Sequence, residues 1–375
     1  MSAVITTLLP IKVHLPSLLP LDSRLLSIRC MKTNMVHAPI AARPGALVIS
    51  LDFELHWGVR DSKSVDGSYG GNLRGVWRAI PEILRVFQRW DIAATWATVG
   101  FLFAEDRNEL RTYHPKVKPQ YTNPRLDPYQ EQIGYDSHDD PYHFALPLIR
   151  QIEATPHQEI ACHTYCHFYC LEPGQDSVSF EHDLLQAAAI ARSKGYQLRS
   201  IVFPRNQCNA DYYKLLLKHG ITCFRGNPKT WFFRDTKAAK ETGFKRALRL
   251  LDCYTKIGGH YTTAWSDIPV NDRLCNVPAS LFLRPYSKTL RQLNSLRLRR
   301  ISRAMSHAAH HGRVVHLWWH PHNFGLHLEA NIEFLQQILF HFDNLRRRYG
   351  MLSLTMAETA REALRLREAK NDSPR

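Results

Sequence analysis

The chain lacks any long uninterrupted run of apolar residues, although 44% of its 375 residues are hydrophobic. A membrane-spanning helix needs about 18 or more apolar residues in a row, so no such helix is expected. Residues 1–44 also lack the unbroken apolar stretch behind a positive N-terminus that a secretory signal requires. We expect a disordered leader there, or an upstream start codon with Met31 or Met35 as the alternative start.

Close pairs of Cys-x-x-Cys knuckles are absent, which argues against the usual structural zinc ribbon. Cys162-x-x-x-Cys166-x-x-x-Cys170 has only a superficially similar spacing. We interpret the cysteines as reduced, partly buried thiols, which favours the cytoplasm as the compartment. They are Cys30, Cys162, Cys166, Cys170, Cys208, Cys223, Cys253 and Cys275.

Acidic residues are few beside basic ones, 34 against 49, which gives a formal charge of +15. This excess favours anionic partners such as acidic glycans, sugar nucleotides or a membrane surface. Seven basic residues without an acidic one lie between 284 and 303, and three arginines follow at 346–348. These clusters are either solvated helix faces or a docking surface for peripheral contact with an anionic membrane. No nucleic-acid motif accompanies them, and no nucleic-acid partner is expected.

From Pro44 onward, short apolar runs alternate with helical patterns, which predicts parallel β/α units. About seven such units predict an α/β fold, a distorted (β/α) barrel that is complete or partly open, over residues 45–368, with a flexible tail at 369–375. Strands are predicted at 46–52, 92–97, 158–162, 200–203, 221–224 and 313–319. Helices are predicted near 72–90, 142–153, 179–194, 210–219, 286–311 and 328–348.

Two segments, 104–141 and 226–272, interrupt this alternation. The first is rich in Pro, Tyr, Asn and Asp, and the second carries Trp231, Trp265 and a Gly-Gly pair. Long segments inside a compact domain are usually functional or flexible. We expect both to be insertions that project from the barrel rim, where substrates bind.

Polar residues follow four of the predicted strands. Because the carboxyl ends of barrel strands converge on one face, we expect these residues to share a site. They are Asp52 with Glu54, His163 with His167, Pro204-Arg205-Asn206, and His320.

The histidine pair and the acidic pair together fit a metal centre. His163 and His167 are four residues apart and can close on one divalent cation. With a carboxylate they make a three-ligand site that leaves room for water, the kind that performs hydrolysis. Asp52 and Glu54 share a face of an extended segment and repel unless a positive charge lies between them. One can then bind the ion while the other accepts a proton from the attacking water. The alternatives are a turn cap with a surface acid, and two satisfied polar histidines on a loop.

Two further polar groups have candidate roles. Arg205 is either an exposed base or a partner for a catalytic carboxylate or a substrate oxygen. In His320-Pro321-His322, one imidazole near the metal could protonate a leaving amine or stabilise an oxyanion. His316 lies inside its strand and is expected to face the core or a helix.

These motifs resemble those of the polysaccharide deacetylases, the chitooligosaccharide deacetylase homology domain of carbohydrate esterase family four, over roughly residues 45–355. The chain departs from the family in having Asp-Phe-Glu for an adjacent Asp-Asp and Pro-Arg-Asn for Arg-Pro-Tyr, so the roles of Asp52 and Glu54 could be reversed. The resembling segments are Asp52 to Glu54, Ile92 to Gly100, His163 to His167, Phe203 to Arg205, and Leu317 to His320.

The resemblance implies a metal-dependent hydrolase that removes an acyl group, foremost N-acetyl, from a sugar of a polysaccharide or its precursor. It implies Zn²⁺ or a similar ion on Glu54, His163 and His167, with Asp52 as base and His320 as acid. Arg205 would assist catalysis, and the substrate would be an acetylated glycan, anionic or lipid-linked. The expected substrate contacts are Trp57, Pro204, Asn206, Trp319 and His322, with Trp318 as a further stacking ring.

Three other interpretations remain open from the sequence. The chain could bind glycans on the same fold without turnover, or hydrolyse a non-peptide C–N bond in a small amide. It could also be a peripheral membrane protein docked through residues 284–303.

Overall fold

The computed structural model describes residues 43–233 and 242–371. The predicted leader lies outside the described residues apart from Arg43 and Pro44, as do the last four residues of the predicted tail. None of the described helices is both long and apolar enough to cross a membrane.

The described strands form one sheet, most of it parallel. Seven parallel strands run side by side in the order β10-β1-β2-β3-β4-β5-β8. Two short strands pair antiparallel with this series, β6 with β10 and β7 with β8. Two more pair parallel, β11 with β1 and β9 with β10. The strands are β1 (Ala46–Phe53), β2 (Ala94–Thr98), β3 (Gln158–Cys162), β4 (Ser200–Ile201), β5 (Cys223–Phe224), β6 (Thr263–Ala264), β7 (Val270–Asn271), β8 (Leu274–Asn276), β9 (Leu281–Phe282), β10 (Arg313–Trp319) and β11 (Leu352–Leu354).

The sheet curls into a barrel that is bridged rather than fully closed. Residues 274–283 pair with β5 at their start and with β10 at their end. The connecting backbone continues this bridge, since the Ala279 amide donates to Gly226 and the Ser280 amide to His316. On this side of the barrel the strands β4, β5 and β9 are only two residues long, so they form few ladder hydrogen bonds. The predicted distorted, incomplete (β/α) barrel is confirmed.

Helices cover the outside of the parallel strands. α2 presents an apolar face at helical spacing, with Ala79, Ile80, Ile83 and Phe87 completely buried, and ends at Asp91 in a left-handed conformation. The helices are α1 (Gly70–Arg74), α2 (Val76–Trp90), α3 (Arg107–Thr112), α4 (Leu146–Glu153), α5 (Ser177–Ser193), α6 (Tyr213–Lys218), α7 (Gly243–Asp252), α8 (Asn294–His310), α9 (Leu328–Tyr349) and α10 (Met356–Asn371).

Side-chain alternation along β1 separates the barrel interior from the helical layer. Leu47, Ile49 and Leu51 pack in the large cluster beneath the helices, whereas Ala46 and Val48 belong to a second cluster inside the barrel. The second cluster also contains residues of α10, which closes the end of the barrel at which the strands begin. The candidate site residues lie at the opposite end, where the strands finish.

Both predicted insertions begin at this same end, but the second does not only project from the rim, because its strands β6 and β7 join the sheet beside β10 and β8. Residues 104–141 lie between β2 and α4, and residues 226–272 follow β5. The basic stretch 284–303 is not the solvated helix face that was one of its two predicted forms. α8 begins only at Asn294, and two of the arginines of this helix are buried. Arg297 donates to the Arg284 and Pro285 carbonyls, and Arg300 donates to the Asp252 and Gly259 carbonyls.

Candidate metal centre and active site

Glu54 follows β1 directly and is held in a tight turn. The next residue, Leu55, has a left-handed backbone (φ 46°), and a short 3-10 helix runs from Leu55 to Gly58. The Glu54 carboxyl group lies against Gly58, where an added Cβ would come within 1.9 Å of the carboxyl carbon. The glycine therefore leaves the space that the carboxylate occupies.

His163 and His167 lie on a loop after β3 whose backbone is held by α5. Thr164 and His167 both adopt left-handed backbone conformations, at φ 60°. The buried Asp183 carboxylate accepts the Tyr165 and Cys166 amides at 2.7 and 3.1 Å, and burial raises the pKa of Asp183 to about 6. Asp183 of α5 thus fixes the loop, and the two imidazoles face the Glu54 carboxylate.

The Glu54 carboxylate lies close to both imidazoles. Its Oε2 is 3.3 Å from His163 Nε2 and 3.1 Å from His167 Nε2, and all three side chains are buried. Two ligands about 2.0–2.1 Å from a tetrahedral zinc ion are about 3.3 Å apart, so the spacing suits a shared ion. The three residues form one of the candidate metal-ligand groups of the described chain.

The hydrogen bonding of His163 also fits a cation. Its Nδ1 lies 2.8 Å from the Val202 carbonyl oxygen, which only accepts, so Nδ1 carries the proton. In a neutral imidazole the Nε2 lone pair then points at the carboxylate. Two electron-rich groups repel at this distance, and an ion between them turns repulsion into coordination. The donor set therefore fits Zn²⁺ or a similar ion.

Asp52 is paired with an arginine that the sequence interpretation missed. Arg225, completely buried after β5, donates to both Asp52 carboxylate oxygens at 2.7 Å and also to Ser50 and Asn206. Burial acts to raise the pKa of Asp52, but Arg225, assisted by His320 and His163, outweighs it, and that pKa lies below its usual value. Asp52 is therefore held as an ionised carboxylate.

His320 lies across both acids and is the most accessible member of the group. Its Nε2 is 3.7 Å from Asp52 Oδ2 and 3.6 Å from Glu54 Oε1, and its side chain is 23% exposed. The ring stacks on buried His322 with centroids 4.9 Å apart. Burial lowers the pKa of His322 to about 3, so this second ring is neutral.

Arg205, predicted to assist catalysis, is placed differently. Its guanidinium pairs with Asp61 and lies over the Tyr169 ring, 4.3 Å from its centroid, and no contact with Asp52 or Glu54 is present among the described residues. Arg205 has a left-handed backbone (φ 55°). Arg225, not Arg205, makes the contact with the Asp52 carboxylate. Contact of Arg205 with a substrate oxygen stays a prediction, because Arg205 lines the cavity described below.

Two of the predicted substrate contacts are core residues. Trp319 is buried between Phe87 and Phe324, and Trp57 is buried against Phe101 with its Nε1 donating to the His143 carbonyl. Trp319 pairs with Leu51 in the register of β10 and β1, and therefore points toward the helical layer. Stacking of a sugar on either ring is ruled out by this burial.

Of the other predicted substrate contacts, two are buried and two line a cavity. Pro204 and His322 are buried, and His322 lies behind the partly exposed ring of His320. Asn206 orients Arg225 and also lines a cavity of about 840 Å³. Trp318, one residue before Trp319, faces this cavity with Arg225 4.2 Å from the centroid of its ring.

The cavity joins the site to the second insertion. His320 and Trp318 contribute to its wall together with Arg246 and Arg249 of α7 and Arg284 after β9. A volume of this size falls within the usual range of about 300–1,000 Å³ for small-molecule sites. The cavity is therefore the place where a substrate can reach His320.

The residues missed in the sequence differ in how detectable they were. Arg225 directly follows predicted strand 221–224, so the strand-end rule that selected Asp52 and His163 would have found it. Asp183 lies within a helix, and Gly58 acts by leaving space for a side chain, so the sequence carries no comparable signal for either.

Comparison with solved structures agrees with this architecture. No family model matches the sequence, and neither does any curated protein. A structure assigned to a polysaccharide deacetylase from Mycobacterium smegmatis is 15% identical, covers 89% of this chain and 96% of its own, and gives a TM-score of 0.51. The chain shares its fold with this structure. Another structure assigned to a polysaccharide deacetylase, from Pseudomonas aeruginosa PAO1, is 11% identical over 85% of this chain and 90% of its own, with a TM-score of 0.49.

Proposed function

We propose that the protein is a metal-dependent deacetylase that removes the acetyl group from the nitrogen of an N-acetylated sugar, in a polysaccharide or its precursor. The observation that carries the proposal is the buried Glu54 carboxylate facing two imidazoles, beside ionised Asp52 and beside His320, which lines the cavity. The cysteine content favours the cytoplasm for this reaction.

Glu54, His163 and His167 would hold the ion, with zinc the first choice for a donor set of two imidazoles and one carboxylate. When bound, such an ion polarises an amide carbonyl and lowers the pKa of a water molecule. Glu54 is the better candidate ligand of the two acids, because both imidazoles approach it and both oxygens of Asp52 are engaged by Arg225.

Asp52 would accept the proton of the attacking water. Arg225 keeps the carboxylate ionised and fixes the direction of its oxygens, so the base is ready at neutral pH. His320 would donate a proton to the nitrogen as the amine leaves, since its Nε2 lies near both acids and its ring reaches the cavity. Trp318 offers its half-buried ring to the sugar.

The direct test measures metal content and acetate release together. Purified protein is assayed by elemental analysis and by mass spectrometry for acetate loss from N-acetylated glycan oligomers. We expect His163→Ala to lose the ion and to reduce turnover by about 10³-fold or more. His138→Ala, an exposed histidine of the first insertion, is the matched control and should change neither.

Two results would contradict the proposal. One is acetate release that persists after the ion is removed. The other is a bound ion without acetate release from any acylated glycan, which would instead support a glycan-binding protein without turnover.

The arginines of the cavity support an anionic substrate. Among the residues that the structure describes, four arginines and a single acid line it, and the Asp252 carboxylate lies 3.6 Å from Arg300. The arginines are Arg205, Arg246, Arg249 and Arg284. Burial lowers the pKa of Arg249, as expected for a cation partly withdrawn from water. We propose that these arginines receive a carboxylate or phosphate of the glycan or its precursor.

Charge removal tests this part of the proposal separately. Arg284→Gln combined with Arg246→Gln should raise KM about 10-fold or more for an acidic N-acetylated oligomer and leave KM for a neutral one nearly unchanged. Arg78→Gln, exposed on α2 beside Glu329, is the control. Equal effects on acidic and neutral substrates would contradict an anion-binding role.

A further inference from the structure

A second group of two histidines and a carboxylate lies outside the site just described. His56, in the 3-10 turn after Glu54, meets His143, which follows the first insertion. Their side chains are 5% and 4% exposed, and Glu131 of the insertion approaches both. The three residues offer ligand atoms that all lie within 4.8 Å of one another.

The outer nitrogen of each ring has a defined proton. His56 Nε2 is 2.8 Å from the Lys63 carbonyl oxygen, which only accepts a hydrogen bond. His143 Nδ1 is 2.7 Å from Asp140 Oδ2. The Asp140 carboxylate also accepts the Gly134 and Tyr142 amides, so it is an acceptor here. Each imidazole therefore donates outward.

The inner nitrogens then face each other with lone pairs. His56 Nδ1 lies 2.9 Å from His143 Nε2, a hydrogen-bond distance that lacks a proton when both rings are neutral. Glu131 Oε1 lies 3.5 Å from His56 Nδ1 and 3.9 Å from His143 Nε2, adding negative charge on the same side. Three electron-rich atoms can share this space only if a positive charge lies among them, either a metal ion or an additional proton.

We propose that His56, His143 and Glu131 form a second divalent-metal site, which binds Zn²⁺. Two imidazoles and a carboxylate suit zinc, and ligand histidines commonly donate their other ring N–H to a carboxylate or a carbonyl, as both do here. Glu131 is the most accessible ligand, with its side chain 26% exposed, and gives the ion an entry route.

The site would connect the first insertion to the turn that carries Glu54. Two hydrogen bonds already join this turn to the residues directly after the insertion, from the His56 amide to the Tyr142 carbonyl and from Trp57 Nε1 to the His143 carbonyl. An ion there would hold the insertion against the barrel without contacting the substrate cavity. Its role is therefore structural, and it does not depend on the deacetylase proposal.

Metal stoichiometry tests the second site. The full-length protein is stripped with a chelator, reloaded by dialysis against ZnCl₂, and analysed for zinc per chain. We expect about two zinc ions for the unaltered protein, one for His163→Ala, one for His143→Gln, and none when both changes are combined. Glu131→Gln should retain the fold, checked by circular dichroism, and weaken one of the two ions at least 10-fold in competition with a chelator.

The controls and the contrary result are equally specific. Glu153→Gln and His138→Gln, both exposed, should leave two ions. One ion per chain that is unaffected by Glu131→Gln and His143→Gln, yet lost in His163→Ala, would overturn the second site and indicate that a proton shared between His56 and His143 supplies the positive charge. If the unaltered protein bound one ion that is lost in His143→Gln but kept in His163→Ala, the deacetylase proposal would fail and the second site would stand.

Discussion

Single side chains set the chemistry of the site through their charge and their direction. Arg225 holds Asp52 ionised with two hydrogen bonds of 2.7 Å, and His163 is oriented by one carbonyl group behind it. A planar guanidinium matches a carboxylate at two points, which an ammonium group cannot do. The exchange of Arg225 for lysine is therefore not conservative.

Arg225→Lys should lower kcat/KM about 10- to 100-fold at neutral pH, because the fork that orients Asp52 is lost. It should also move the acidic limb of the pH profile upward. The reason is that Arg225 lowers the pKa of Asp52, so weakening the pair raises that pKa. Rate measurements from pH 4 to 9 check both effects.

Arg205→Lys is the matched control for this experiment, because its partner is Asp61. Its acidic limb should stay in place. If Arg225→Lys left that limb unmoved as well, the pairing with Asp52 would have no part in catalysis.

Because His316 is buried, we expect the free energy of unfolding to fall in acid. Burial, followed by the charge of Arg225, lowers its pKa to about 3 against an ordinary 6.5. A histidine with a lowered folded pKa contributes stability above pH 6.5 and loses it as the pH falls toward 3, because the unfolded chain takes up the proton first. At pH 5 this amounts to about 2 kcal/mol.

Denaturant unfolding of His316→Gln at pH 7 and pH 5 measures that contribution. The variant should be less stable at pH 7, since Ser50 and Val277 lose their imidazole partner. Its stability should fall by about 2 kcal/mol less between the two pH values than that of the unaltered protein. Equal pH dependence would mean that His316 is not held neutral by burial.

Secondary-structure elements deliver these groups to one place. Parallel strands end at the same edge, so the turns after β1, β3, β5 and β10 bring Glu54, His163, Arg225 and His320 together. The turns after β1 and β3 contain left-handed residues, which cost free energy and persist because neighbouring elements hold them. Asp183 of α5 does so for the histidine loop by accepting two of its amides.

Gly58→Ala tests how tightly the turn after β1 confines Glu54. The new methyl group would overlap the Glu54 carboxylate, so we expect that carboxylate to shift and the affinity for the ion at His163 to fall about 10- to 100-fold. Competition with a chelator measures it. Gly243→Ala is a suitable control, since its Cβ would have no heavy atom within 4 Å. Unchanged affinity in Gly58→Ala would show that Glu54 is free to move or is not a ligand.

At the scale of the whole molecule, the two ends of the barrel have different tasks. The end where the strands finish is polar and open to the cavity, and the other is closed by α10. Met356 and Ala360 of α10 pack with Val48 and Val314 inside the barrel. Half-buried Glu159 accepts the Ala357 amide at the start of α10, which places a carboxylate at a helix N-terminus, where it is stabilising.

Removal of α10 by ending the chain after Thr355 should abolish cooperative thermal unfolding, because it exposes the cluster inside the barrel to water. Ending the chain after Asn371 is the control and should keep the melting temperature. Calorimetry distinguishes the two chains. A truncated protein with an unchanged transition would mean that the barrel is stable without its α10 cap.

The sequence by itself determined the alternation of strands and helices and the chemical groups at the strand ends. Both depend on local periodicity, and the carboxyl ends of parallel strands meet wherever such a barrel forms. That is why the sequence alone groups Glu54 with His163 and His167, and why it predicts the barrel.

Only the tertiary structure decided which neighbouring groups face inward and what they contact. Trp318 reaches the cavity while Trp319 is buried in the helical layer, because the register of β10 against β1 fixes their sides. The pairing of Asp52 with Arg225 and the contact of His56 with His143 join residues 173 and 87 positions apart. Such contacts depend on distances set by packing and by barrel curvature, which a linear pattern does not specify.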